Sequence, residues 1–392
     1  LEKGLSKFIL SKSFTGQKWR PLYLDNFLDA ESVIRPPRFI GPKNLADVVE
    51  ALIGASFRDG GMTKALKCIT VFLGDKCNWH EEGVARDILF GTAPEEVQLP
   101  PHMEPLEEMI GYSFKKKSLL FEAVTHGSYA ADAQQRSYEQ LEFLGDAVLD
   151  YIVVTKMFEF NQAISNSRLH MIKTAMVNAE FLAFINMEHG LSRTDVDIKP
   201  DGAVESTEVQ LRLWTFVRHS SLEMGQVLKK TEVKFRGLRD EIVAAVRDGT
   251  HYPWVLLARL HPKKVYSDLF ESLLGAVWVD SGSIETCAGV LHKFGILPYL
   301  DRILEQNIHV QHPKEELSRL AVDQKMSFDY TVIDGPEPEY LCKAKIGDRV
   351  VGDVRGALNK DEAMAKAAEQ GVRLLNKEKK APEEGVDGMD LS

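Results

Sequence analysis

Cysteine is scarce in this chain of 392 residues: Cys68, Cys77, Cys287 and Cys342 stand without paired spacing, which excludes a disulfide framework and a thiolate zinc site. Long apolar runs are also missing, so no stretch reaches the length of a membrane span, and the amphipathic start LEKGLSKFIL lacks the form of a signal peptide. A basic excess is absent too, with 48 Lys and Arg against 58 Asp and Glu and a formal net charge of -10. Proteins that coat nucleic acid through bulk charge carry the opposite balance, so any nucleic-acid contact here must be local. Together these absences point to a globular protein of a reducing, intracellular compartment, cytoplasm or nucleus, with no membrane partner. The first residue is Leu1 and not a methionine, as expected for a piece of a longer chain.

What the sequence does hold is a repeat. NLADVVEALIGASFRDGG at 44–61 returns as YSDLFESLLGAVWVDSG at 266–282, and one constant offset brings Asp47 onto Asp268, Glu50 onto Glu271, Gly54 onto Gly275, Asp59 onto Asp280 and Gly61 onto Gly282. So many matches in one register predict a duplicated domain. Pro36-Pro37 interrupts the chain before the first copy, and GTAPEEVQLPPH at 91–102 has the composition of a linker. From Met103 to about Gln306 apolar residues recur every three or four positions, which predicts an all-α domain. Within it, residues 186–265 mix polar sequence with the amphipathic LRDEIVAAVRDG and read as an insertion with one or two helices of its own. After His312 a short helix, three alternating segments and the Ala-rich KDEAMAKAAEQGVRLLNK give the order α-β-β-β-α. The expected class is mainly α, divided as 1–95, 96–311 and 312–378, with a tail at 379–392 too poor in apolar surface to fold.

The chemistry is carried by acids. In YEQLEFLGDAVLDYIVV, residues 138–154, Glu139, Glu142 and Asp146 fall within roughly 60° of one another at about 100° per residue. A solvated face is the usual meaning of such a stripe. Here the acids interrupt the apolar run of Leu141, Phe143, Leu144, Val148, Leu149 and Ile152, and carboxylates crowded on a buried helix repel one another unless a cation neutralises them. Gly145, unfavourable in a helix, predicts a second backbone packed close beside Asp146. Asp268 and Glu271 form a second acidic pair on another apolar helix. If the helices cross near Asp146, four carboxylates converge, and oxygen-only clusters suit Mg²⁺ or Mn²⁺. Such ions, held with open positions, are the equipment of phosphodiester hydrolysis.

These residues resemble a family. YEQLEFLGDAVLD resembles the signature helix of RNase III endonucleases, AVTHGSY at 123–129 is similar to the segment that precedes it there, and SDLFESLLGA is similar to the family's second acidic helix. The resemblance implies an all-α RNase III endonuclease fold, a double-stranded RNA substrate, and Glu142, Asp146, Asp268 and Glu271 as metal-binding catalytic carboxylates, with Glu139 as a further acid of the cleavage centre. A duplicated nuclease domain followed by a double-stranded-RNA-binding fold looks like the C-terminal part of a Dicer-like enzyme acting in RNA silencing, and LWTFVRHSS with HYPWVLLARLHPKKVYSD resembles the fungal branch. In such enzymes two nuclease domains pair within one molecule and each cuts one strand. The first copy departs from the pattern: nothing upstream of Asp47 and Glu50 resembles LEFLGD, while FLGD at 72–75 follows the acidic helix and has Val71 in place of the glutamate. The expectation is one half-site and one complete site, with pairing inside the molecule or between two copies in a homodimer.

Lys43 and Lys264 keep the repeat's offset, each four residues before an acidic pair, where a lysine could offset charge on a scissile phosphate. In the insertion, Lys229, Lys230, Lys234 and Arg236 form a basic strip able to track a phosphate backbone. The C-terminal fold resembles a double-stranded-RNA-binding domain, with Lys360 and Lys366 as its candidate phosphate contacts. Asp361 and Met364 stand where that family usually has lysines; an acid there repels RNA, and the lack of net basic charge leaves a structural or protein-contact role as the alternative for this module. The competing reading is a non-catalytic double-stranded-RNA-binding or scaffold protein that keeps the fold without turnover.

Overall fold

The computed structural model describes residues 18–19, 38–39, 42–74, 83–95, 97–129, 136–160, 162–198, 204–322, 324–335 and 338–380. Two compact units divide the chain, Leu1–Thr92 and Ala93–Ser392. The division falls three residues before the sequence boundary at 95. The Ala93 and Pro94 carbonyls accept hydrogen bonds from the Lys116 ammonium at 3.0 Å and the Ser118 hydroxyl at 2.6 Å, which ties them to the second unit.

In the first unit a two-residue ladder pairs β1 (Lys18–Trp19) with β2 (Arg38–Phe39). Helix α1 (Pro42–Leu73) carries the first acidic copy and α2 (Val84–Thr92) follows it. Gly61 interrupts α1 with φ 67, a left-handed conformation that glycine adopts without a Cβ penalty. Its counterpart in the repeat, Gly282, has φ 68 and ends the second acidic helix. The two matched glycines therefore share a left-handed backbone turn.

The second unit begins with the helices α3 (Pro105–Ile110), α4 (Lys117–Ala123), α5 (Glu139–Glu159), α6 (Asn166–Met176) and α7 (Ala179–Glu188). On α5, Leu141, Gly145, Val148, Leu149, Ile152 and Val153 are buried, the three-and-four spacing of a helix with one face in the core. Ser165 and Asn178 cap α6 and α7 by accepting the amides of Arg168 and Phe181, satisfying donors that a helix start leaves unpaired.

Next come β3 (Gly190–Ile198) and β4 (Val204–Arg212), an antiparallel hairpin with Thr194 opposite Glu208. The sequence predicts one or two helices within 186–265 and no strands, so the hairpin departs from that expectation. Helix α8 (Leu222–Asp248) packs through Leu228, Thr231, Phe235, Leu238 and Ile242, and the short α9 (Trp254–Leu260) buries Trp254, Leu257 and Leu260. The end of the presumed insertion is thus part of the core. Helix α10 (Val265–Ser281) is buried on nearly every side, as a helix apolar all round must be, and α11 (Ile284–Lys293) and α12 (Ile296–Glu305) close the helical part.

The C-terminal fold consists of α13 (Pro313–Leu320), the antiparallel sheet β5 (Met326–Ile333), β6 (Glu339–Ile346) and β7 (Arg349–Ala357), and α14 (Lys360–Lys380). Its core joins Leu317 to Cys342, Ala344, Val351, Ala363 and Ala367. It shares one compact unit with the helices before it. Helix α14 runs two residues past the expected tail boundary at 379, and residues 381–392 lie outside the described residues. No helix among the described residues is long and apolar enough to cross a membrane.

Candidate active site

The site is made where α5 crosses α10. A Cβ built on Gly145 would lie 1.7 Å from the Glu271 carbonyl oxygen, and one on Gly275 would lie 2.1 Å from the Leu141 carbonyl oxygen. Only glycines allow so close an approach, as the position of Gly145 predicts. The side chains one helical turn away are thereby brought together: Glu142, Asp268 and Glu271 each offer a carboxylate oxygen, all within 4.8 Å of one another.

Asp146 stands beside this trio and more open to solvent. Partial burial and then the neighbouring Asp150 raise its pKa, with Glu142 adding to the effect and Lys173 and Lys264 opposing it. Asp268 is raised first by burial, against the hydrogen bond from Lys264. Glu271 is shifted furthest. The residue is 9% exposed, and burial, then Asp146, Asp268 and Glu142, push its carboxyl up to about 8. Among the described residues nothing hydrogen-bonds to its carboxylate, so its charge has no partner beyond the field of Lys264.

Lys264 is the cation of the cluster. Its ammonium donates to Glu142 Oε1 at 2.5 Å and to Asp268 Oδ1 at 2.7 Å while the side chain stays 70% exposed. Burial works against its charge, but the hydrogen bonds to Asp268 and Glu142 outweigh it and raise the pKa. Tyr138, which the sequence reading gave no role, donates its hydroxyl to Asp268 Oδ2 at 3.4 Å. Burial and then Asp268 raise that hydroxyl's pKa, so it remains a donor. Its signal was its place at the head of the acidic helix. The preceding segment is pinned in turn: Arg218 donates to Thr125 Oγ1 at 2.9 Å, and its guanidinium lies 3.5 Å from the Phe121 ring centroid and 4.1 Å from that of Tyr129.

Asp280, matched in the repeat but given no function, is fully buried and accepts from the amides of Lys115 and Lys116 and from the Tyr112 hydroxyl. It anchors the far end of α10.

Other sequence candidates lie elsewhere. Glu139 is exposed at the start of α5, with Oε1 3.1 Å from where a Cβ on Gly127 would stand, and is not one of the three converging carboxylates. In the first unit Lys43, Asp47 and Glu50 are exposed, and a Cβ on Gly54, the counterpart of Gly275, meets nothing within 4 Å among the described residues. No helix crossing like that of α5 and α10 is present there among the described residues. On α8, Lys229, Lys230 and Lys234 are exposed, while Arg236 is paired with Glu232 at 2.5 Å. Lys360 lies 4.2 Å from the Tyr330 ring centroid, and Lys366 is 2.5 Å from Glu362.

What can this arrangement do? Carboxylates crowded in this way, with Lys264 bridging only two of them, are unstable without added positive charge, and an all-oxygen donor set fits a hard divalent cation. Comparison with known proteins agrees in kind. A family model for the Ribonuclease III domain matches residues 139–282, and a model described as Dicer-like protein 2, dsRNA binding domain, matches residues 306–391. The chain is similar to Dicer-like protein 2 of Cryphonectria parasitica, 41% identical over 95% of this chain and 27% of that protein, and to Dicer-like protein 2 of Pyricularia oryzae, 39% identical over 95% of this chain and 26% of that protein. It thus spans about a quarter of the length of these relatives. Among solved structures, the nuclease domain of ribonuclease III from Campylobacter jejuni is 25% identical over 53% of this chain and 97% of that one, with a TM-score of 0.31. On its acidic crossing and these sequence matches, the chain carries a ribonuclease III domain followed by a Dicer-like dsRNA-binding domain.

Proposed function

We propose that the chain supplies one complete cleavage centre of a Dicer-like double-stranded-RNA endoribonuclease, working inside the cell in RNA silencing, and that Glu142, Asp146, Asp268 and Glu271 hold Mg²⁺ or Mn²⁺. The observation that carries the reading is the convergence of Glu142, Asp268 and Glu271 at a backbone crossing, with Asp146 beside them. Burying such a group would be costly for a scaffold with no use for a cation. A divalent ion there would lower the pKa of an attacking water and stabilise charge on the cleaved phosphodiester.

The protein's own contribution is positional. The crossing fixes Glu142 against Asp268 and Glu271, Tyr138 steadies Asp268, and Lys264 stands at the solvent side of the cluster. With Glu142 and Asp268 neutralised by such an ion, the Lys264 ammonium would be free to neutralise a phosphate oxygen. The exposed lysines of α8 support phosphate tracking by that helix: the Tyr266 hydroxyl donates to the Leu228 carbonyl at 3.2 Å, which places Lys229 and Lys230 beside the start of α10.

Phe143 is 79% exposed between two of the acids. An apolar side chain left open there supports pairing with a second nuclease domain, the half-site copy of the same molecule or another chain related by a two-fold axis. The test is incubation with an RNA duplex labelled on each strand, with and without Mg²⁺, and strand-resolved electrophoresis. Mg²⁺-dependent cleavage supports the reading; duplex binding without cleavage under any divalent ion returns the chain to the scaffold class.

A further inference from the structure

The first residues of α14 are where the sequence resemblance placed RNA contacts, yet they are engaged with the nuclease helices. Asn359 caps α14 by accepting the Glu362 amide at 2.9 Å, and its own Nδ2 donates to the Ala258 carbonyl, in the last turn of α9, at 2.8 Å. Glu362 is 0% exposed; it accepts the Leu358 amide at 2.7 Å and faces Arg259 Nε at 3.6 Å. Asp361 lies 3.9 Å from His261 Nδ1 and 4.0 Å from Lys314 Nζ, and Glu180 of α7 lies 4.0 Å from the same His261 nitrogen. Acids that would repel phosphate thus meet arginine, histidine and lysine of their own chain.

The held segment is mechanically important. His261 ends α9 with φ 44, a left-handed conformation that is strained for a residue with a Cβ and persists only where neighbours over-determine it. Three residues later Lys264 opens α10 and bridges Glu142 to Asp268. The grip of α14 on Ala258, Arg259 and His261 therefore bears on the turn that aims the cluster's cation.

We propose that Asn359, Asp361 and Glu362 are positioning residues for the cleavage centre: the C-terminal fold braces the His261–Lys264 turn, and the start of α14 is a docking surface for the nuclease helices, not a reader of RNA. This rests on the endonuclease reading above. It accounts for the engagement of Lys360 with Tyr330 and of Lys366 with Glu362, which leaves neither extended toward a duplex.

Asn359→Asp separates the two jobs of this side chain, because a carboxylate still accepts the Glu362 amide but has no hydrogen to donate to Ala258. Asn359→Ser, which also keeps a capping oxygen, is the second variant. For the full chain, three quantities decide: turnover at saturating RNA and Mg²⁺, RNA affinity in Ca²⁺ or EDTA, and hydrogen exchange at 254–264. A displacement well under 1 Å at a reacting centre is expected to lower turnover by roughly five- to tenfold, with RNA affinity unchanged and exchange at 254–264 faster. Weaker RNA binding with unchanged turnover would overturn the proposal, since the helix start would then be an RNA contact. Unchanged turnover and exchange would overturn it as well. If the parent chain does not cleave RNA, the endonuclease reading fails by itself, and exchange at 254–264 still accepts or rejects the docking.

Discussion

Gly145 and Gly275 meet backbone to backbone: a Cβ on Gly145 would lie 2.8 Å from the Gly275 amide nitrogen, and one on Gly275 would lie 3.0 Å from the Gly145 amide nitrogen. This contact sets the separation of α5 and α10, and so the spacing of the carboxylates each helix carries.

Gly145→Ala is expected to destabilise the fold by about 1–3 kcal/mol or more, because the obstacle is a carbonyl 1.7 Å away and no rotamer relieves it. Urea unfolding measures this as a lower midpoint at unchanged slope. Cleavage should fall in parallel. Gly289→Ala is the control: this glycine lies within α11 with open space around it, and the change should stabilise by about 0.5–1 kcal/mol. An unperturbed Gly145→Ala chain would contradict the crossing.

A second expectation concerns pH. Burial and the neighbouring acids hold Glu271 at about 8 in the folded chain against an ordinary value of 4.5, and Asp146 and Asp268 are shifted the same way. Between those two values the folded state binds more protons than the unfolded one, so stability falls as pH rises through the window. In EDTA the chain should therefore unfold more readily at about pH 8 than at about pH 5.5 as far as this site is concerned, and Mg²⁺ should stabilise it more at the higher pH. Comparing the parent with Glu271→Gln isolates the site. The variant should lose the Mg²⁺ effect and gain metal-free stability at high pH; a variant less stable than the parent in EDTA at about pH 8 would contradict the assignment.

Lys264→Ala removes the ammonium bridging Glu142 and Asp268. Metal-free stability should drop and Mg²⁺ should restore it, since either cation relieves the same repulsion. Turnover should fall by roughly 10² with little change in RNA affinity, as for an interaction made mainly in the transition state. An unchanged rate would leave Lys264 as a surface lysine.

The exposed lysines of α8 make a distinct prediction. If Lys229, Lys230 and Lys234 each neutralise a phosphate, replacing all three by Ala should weaken binding for every duplex sequence and reduce the slope of log affinity against log salt by about 0.9 for each phosphate no longer neutralised. Fluorescence anisotropy across a salt series reads both. A slope equal to that of the parent would exclude this face from the RNA path.

Much of the site was legible because helical spacing is short-range. The register of Glu142 and Asp146, the pair Asp268 and Glu271, and the demand made by Gly145 for a close neighbour are all set within a few residues. The hairpin was less legible: its alternation of polar and β-branched residues was masked by charge, although Pro200-Asp201-Gly202 between the strands is a turn sequence. The fate of Asp361 and Glu362 was legible only in kind, since an acid at Asp361 left a structural or protein-contact role open without naming its partner. Taken alone they read as acids that repel phosphate, and only tertiary contact with Arg259 and His261, about a hundred residues away, shows what they meet. Tyr138 was hidden similarly, since its partner Asp268 lies on another helix.

The most direct measurement is Mg²⁺-dependent cleavage of a strand-labelled RNA duplex by the parent chain beside Asp146→Asn and Glu271→Gln, with RNA affinity measured in parallel. The parent is expected to cut, and both variants to bind the duplex as tightly and leave it intact. Near-normal cleavage by either variant at saturating Mg²⁺ would contradict a centre built from these carboxylates.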